Sequence, residues 1–111
     1  MEPNKTSDEV VQGFLERKWD AIKREYEPSV VLLFGSRARG NARPDSDIDL
    51  IVVSERFRET RFVNRMGRFL NTVRPDVPVD AFCYTPDEFD HMVEKGSPFV
   101  KFALRDGIRI V

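Results

Sequence analysis

Two unbroken apolar runs, Val30–Phe34 and Leu50–Val53, lie on either side of a Gly-Ser corner and an arginine-bearing loop, and the second is entered through Asp47-Ile48-Asp49. A short apolar run bounded by turn residues reads as a strand, and one without alternation reads as a strand buried on both faces. The rest of the chain must therefore cover two sides of a sheet. On the second strand, residues two apart leave the same face, so the Asp47 and Asp49 carboxylates stand side by side, about 7 Å apart at Cα. That is a place to bind a divalent cation. Leu50–Val53 would hold it on a rigid strand rather than on a mobile loop.

The remaining elements follow from periodicity and caps. Thr6-Ser-Asp-Glu9 has the spacing of a capping box, and Val11, Leu15, Trp19 or Lys18, Ile22 and Tyr26 recur at helical intervals. This predicts a helix from about Asp8 to Tyr26, ended by Pro28, after a few polar residues expected to be loosely held. Gly35 lets the backbone turn sharply and approach a ligand closely. A second helix is expected from about Glu59 to Val73, with Phe62, Met66, Phe69 and Val73 on one face, helped by Val63 and Leu70, and arginines on the rest.

Pro75 and Pro78 then bracket a turn into a third strand, in which Val77, Val79 and Ala81 alternate with Asp80 and Phe82. Asp80 stands within an apolar strand, where an unpaired carboxylate is costly unless it meets a cation or a donor. An arginine of the 56–74 helix is the structural alternative to a metal. Thr85-Pro-Asp-Glu88 is another capping box, with proline at the first helical position, opening a short helix to Lys95 that Gly96 closes. Ser97-Pro98 begins a further helix through Phe99, Phe102, Ala103 and Leu104, and Asp106-Gly107 turns the chain into a last strand, Ile108–Val111. Cys83, Met66 and the phenylalanines read as core, and His91 as an exposed helix residue. The order argues a single α/β or α+β layer fold with a mixed central sheet of about four strands flanked by helices.

At 111 residues the chain reads as one domain, 1–111, too small for a second, acceptor-holding domain, so the acceptor is expected to be held partly by another molecule. Lys plus Arg, 18, nearly balance Asp plus Glu, 19, so no overall field draws nucleic acid. Local patches are left open, among them the second-helix arginines facing RNA or an acidic partner. The single cysteine excludes an internal disulfide and fits a reducing cytoplasm. The N-terminus lacks a leader pattern and no apolar run is long enough to span a bilayer, so a soluble, cytoplasmic protein without a membrane partner is expected. The exposed edge of Ile108–Val111 offers pairing to a second copy.

Gly35-Ser36, the ten residues Arg37–Ser46 and then Asp47-Ile48-Asp49 together resemble the signature of the polymerase-beta-like nucleotidyltransferase superfamily. The fuller string, Gly-Ser-x-Ala-Arg-Gly and later Ser-Asp-x-Asp-Leu, is similar to its small stand-alone members, the minimal nucleotidyltransferases. The resemblance directly covers about a fifth of the chain, at a spacing far more specific than either half alone. It implies a polymerase-beta-like nucleotidyltransferase fold and a magnesium-dependent transfer from a nucleoside triphosphate, ATP in the leading reading. Two magnesium ions would be bridged by Asp47 and Asp49, with Asp80 completing the site and helping to remove the acceptor's proton. Gly35 and Ser36 would hold the β- and γ-phosphates with help from Arg37 and Arg39. Arg39 is the first choice, because the family places an arginine or lysine there, whereas Arg37 and Arg43 would either add contacts or face solvent.

Relatives of this size often sit beside a helical HEPN-type protein in a toxin–antitoxin pair, moving AMP from ATP to a tyrosine of the toxin. The resemblance therefore implies a protein adenylyltransferase acting as an antitoxin. Two alternatives stand beside it: transfer to a small-molecule hydroxyl such as that of an aminoglycoside, and a non-catalytic antitoxin that neutralises its partner by binding. Nothing in these residues selects adenine over other bases.

Overall fold

The computed structural model describes Pro3, Asn4 and residues 6–111. Helix α1, Glu9–Tyr26, precedes strand β1, Val30–Phe34, the short helix α2, Ser36–Arg39, and strand β2, Ile48–Val53. A 3-10 turn, Glu55–Glu59, leads to α3, Phe62–Val73, and then come β3, Val79–Tyr84, α4, Pro86–Glu94, α5, Pro98–Asp106, and β4, Ile108–Arg109. The four strands form one sheet in the order β3-β2-β1-β4. β1 is antiparallel to both its neighbours, whereas β2 and β3 are parallel. The mixed, four-stranded α+β architecture expected from the sequence is the one observed.

Both faces of the sheet are covered, which accounts for the unbroken apolar runs. Val31 and Leu33 point into a core with Phe14, Ile22 and Phe69, contributed by α1 and α3, while Leu32 packs with Ile51, Tyr84, Phe89, Val100 and Ala103 under α4 and α5. In α1 the buried stripe is Val11, Phe14, Leu15, Trp19, Ile22 and Tyr26. Its cap differs from the expected box: Asp8 is the N-cap and accepts a hydrogen bond from the Val11 amide at 3.0 Å, while Thr6 accepts one from the Asp8 amide. The second capping box is as expected, with Thr85 and Glu88 bonded reciprocally.

The second helix departs from expectation at its start and in the face it buries. Ser54 caps the separate 3-10 turn, whose Phe57 ring lies 5.0 Å from that of Tyr26, and extended backbone at Thr60 and Arg61 delays α3 until Phe62. Its buried residues are Arg65, Phe69 and Val73; Met66 is half-buried, and Phe62 and Val63 are exposed. The helix is turned toward Arg65 because that guanidinium has partners inside: Glu88 at 2.6 Å and the carbonyls of Thr60 and Cys83. Phe102 is likewise exposed rather than core. Cys83 is buried and His91 exposed, as read.

The last strand is shorter than expected, and its outer edge is occupied. The Asn4 amide donates to the Ile110 carbonyl at 2.8 Å and its side chain donates to the Arg109 carbonyl at 2.8 Å. Of the polar leading residues expected to be loose, Asn4 is thus tied down, and Met1, Glu2 and Lys5 lie outside the described residues. Among the described residues no helix is long and apolar enough to cross a membrane.

Candidate active site

Strand pairing brings the acidic residues together. Asp49 is the Cα partner of Asp80 across the parallel β2–β3 pair and of Phe34 across β1–β2. Neighbouring strands are about 4.8 Å apart, and residues in register share a face. Asp47, just before β2, is exposed, while Asp49 and Asp80 are half-buried. Their charges interact: burial raises the Asp49 pKa above its ordinary value, and the Asp80 and Asp47 carboxylates raise it further. Arg39 pulls the other way.

The Gly-Ser corner is packed against the same carboxylate. Gly35 has φ 78° and ψ −160°, a conformation that only glycine adopts readily, and a Cβ placed on it would lie 2.3 Å from Asp49 Oδ2. A larger residue there would have to push the Asp49 carboxylate aside. Ser36 is half-buried and opens α2, where it and Arg37 have no acceptor four residues back within the helix. Arg39, at the end of α2, is exposed, and among the described residues its guanidinium makes no hydrogen bond or ion pair. Asp49, Asp80, Asp47, Gly35, Ser36 and Arg39 thus collect at one end of the sheet.

Arg37 does not join them as a phosphate ligand. Its side chain is 5% exposed and all its donors are committed. Nε donates to the Ser46 carbonyl, one terminal nitrogen to both Asp8 carboxylate oxygens, and the other to the carbonyls of Arg43 and Pro44. The residue expected either to touch phosphate or to face solvent is instead a buried tie. It holds the loop before Asp47 against the N-cap of α1. Sequence inspection had no local signal for this, since Asp8 lies 29 residues away. The structural alternative for Asp80 is not realised either: the buried arginine of α3, Arg65, pairs with Glu88, and among the described residues no arginine bridges to Asp80.

Among the described residues no group of three or more His, Cys, Asp or Glu side chains is gathered tightly enough to form a ready-made metal cage. The donor chemistry nevertheless suits magnesium, which takes carboxylate oxygens and is usually bound by one or two of them together with substrate phosphates and water. Asp47, Asp49 and Asp80 are the residues that could hold it. A separate cleft of about 300 Å³, lined by Glu25, Arg56, Thr60 and Arg68, lies at the other end of β2 and shares no residue with this site.

Carboxylates in register on parallel neighbours, set against a glycine corner that leads into a helix start, are the parts of a site for phosphoryl-type group transfer. The comparisons make the class specific. The family model for the nucleotidyltransferase domain matches residues 15–108, and the chain belongs to that family. It is a transferase domain of the nucleotidyl type. The crystal structure of a candidate nucleotidyltransferase from Sulfolobus solfataricus is similar in fold, with a TM-score of 0.58 and 23% identity over 96% of this chain and 86% of that one. Comparison with curated proteins found no significant match.

Proposed function

We propose that this domain is a magnesium-dependent adenylyltransferase that moves AMP from ATP to a tyrosine hydroxyl of a helical HEPN-type partner and thereby acts as an antitoxin. The observation that carries the catalytic part is the Asp49–Asp80 register with Gly35 closed against Asp49. The partner part is supported by the likeness of Gly35-Ser36 to Asp49 to minimal nucleotidyltransferases.

In this reading the Gly35–Ser36 corner and Arg39 bind the β- and γ-phosphates through amide, hydroxyl and guanidinium donors. Asp47 and Asp49 hold the metal, which when bound supplies positive charge to the phosphates and the attacking oxygen. Asp80 lies against the acceptor and takes its hydroxyl proton as the new P–O bond forms and pyrophosphate leaves. Arg37 fixes the loop that delivers Asp47, so it acts on the reaction only through that carboxylate.

The test is incubation of the purified chain with α-labelled ATP, magnesium and the protein encoded beside it, followed by mapping of the labelled residue. Label on a partner tyrosine, lost with Asp49→Ala, is the expected result. No transfer under any condition overturns the proposal. If Asp49→Ala abolishes ATP binding yet still neutralises the partner, binding alone explains the biology.

A further inference from the structure

We infer that the acceptor enters along a groove on the β3 side of Asp80 and that Arg74 positions it there; that the acceptor is a tyrosyl side chain rests on the function proposed above. The direction of entry follows from the sheet order. Displacement at phosphorus is roughly in line, with attacking and leaving oxygens on opposite sides. Gly35 and Ser36 continue β1 and so lie to one side of Asp49, whereas Asp80 lies to the other, in the order β3-β2-β1-β4. Pyrophosphate held at the glycine corner leaves toward β1, and the hydroxyl must arrive from β3.

A groove of about 440 Å³ opens there. Asp47, Asp80, Asn71 and Arg74 form the polar part of its wall, and Leu70, Pro75 and Val77 form much of the rest. Arg74 ends α3 in the left-handed region, at φ 53° and ψ 60°, where glycine is the residue that fits without strain. Glu27 ends α1 in the same way, but its carboxylate pairs with Arg56 at 2.9 Å. Among the described residues the exposed Arg74 guanidinium has no hydrogen bond or ion pair, so its side chain gives the fold no polar contact in return for the strain. What it offers is one uncommitted cation on the groove that Asp80 also lines.

The lining of the groove suits the tyrosyl acceptor of the function proposed above. A phenolic ring packs against Leu70, Pro75 and Val77 and presents one hydroxyl to Asp80, leaving Arg74 to grip main-chain carbonyls of the segment that bears it, or the ring face.

The experiment compares wild type, Arg74→Gly, Arg74→Lys and the control Glu27→Gly. Transfer from α-labelled ATP is measured onto a glutamate–tyrosine copolymer, a single-stranded RNA and an aminoglycoside, alongside ATP affinity by calorimetry and the unfolding midpoint. Loss of one charge-assisted contact predicts that Arg74→Gly lowers kcat/KM for the tyrosine copolymer about ten- to a hundredfold, mainly through KM. ATP affinity stays unchanged and the unfolding midpoint rises. Arg74→Lys restores part of the loss, and Glu27→Gly, which relieves the same backbone strain but loses its ion pair, gains less stability than Arg74→Gly and leaves transfer unchanged. Wild-type transfer to tyrosine that is unaffected by Arg74→Gly overturns the assignment of Arg74 alone. Transfer to RNA or the aminoglycoside and not to tyrosine overturns the acceptor class, and ATP binding with no transfer to any of these probes or to the protein encoded beside the chain overturns the underlying function.

Discussion

Replacing Arg37 by alanine separates two accounts of this arginine. It reaches the carbonyls of Ser46, Arg43 and Pro44 at 3.0, 3.2 and 3.1 Å and the Asp8 oxygens at 3.3 and 3.2 Å. Truncation leaves three carbonyls without their donor and strips the counter-ion from an Asp8 side chain only 16% exposed. Breaking a buried pair from one side costs about 3–5 kcal/mol. The carbonyl contacts belong to the same network and do not add in full. The net loss is therefore set at about 3–5 kcal/mol, out of roughly 5–15 kcal/mol for a whole domain. In a chain of this size that lowers the thermal midpoint on the order of 10–20 °C. Urea unfolding followed by circular dichroism gives the free energy, and calorimetric titration with ATP gives the affinity of whatever remains folded. Arg37→Lys, which keeps the charge but not the planar fork, recovers part of the stability. A variant of wild-type stability with weakened ATP binding would refute this reasoning and make Arg37 a phosphate ligand after all.

Gly35→Ala should cost about 1–3 kcal/mol from its backbone conformation alone, and should abolish transfer because the new Cβ displaces the Asp49 carboxylate; a fully active alanine variant contradicts the close approach of that corner. Asp49→Asn should stabilise the metal-free protein at neutral pH while abolishing transfer, since burial, Asp80 and Asp47 all act against the ionised form. A less stable asparagine variant would show that the carboxylate is held by donors rather than opposed by neighbours. For Glu88, the Arg65 hydrogen bonds and then the Thr85 amide hold the pKa below its ordinary 4.5. Its ionised form therefore adds stability above that value, and the contribution is lost as pH falls through the lowered folded-state pKa. Glu88→Gln should thus be less stable than wild type at pH 7, with the gap closing in acid; a gap that is constant with pH counts against the ion pair.

The parts of this molecule that were legible in the sequence are those fixed by local period and spacing. The stripe from Val11 to Tyr26 needs only the helical repeat, and the shared face of Asp80 and Phe82 needs only strand alternation. The Thr85–Glu88 box is complete within four residues. What could not be read depends on partners that arrive from elsewhere. For α3, one face passes through Phe62 and Met66 and another through Arg65 and Phe69; both fit the repeat. The choice fell to Arg65 because α4 brings Glu88 within 2.6 Å of it. Arg37 was misread for the same reason: a cation in a loop looks solvated until Asp8 and three carbonyls surround it.

The position of the candidate site follows from one choice of strand direction. β1 and β2 are antiparallel, so the end of β1 at Gly35 and the start of β2 at Asp49 fall at the same end of the sheet. β3 reaches that end with its own beginning only because α3 is a crossover connection, which lets β3 run parallel to β2 and places Asp80 level with Asp49. Had β3 entered antiparallel over the same partners, Asp80 would stand opposite Val52, about 10 Å along the strand from Asp49. Asp80 would then neither raise the Asp49 pKa nor face a common ligand with it. The crossover through α3, with its arginine tie to Glu88 and its end at Arg74, is therefore as much a part of the site as the Gly-Ser corner. It delivers the third carboxylate and, by the inference above, the residue that positions the acceptor against it.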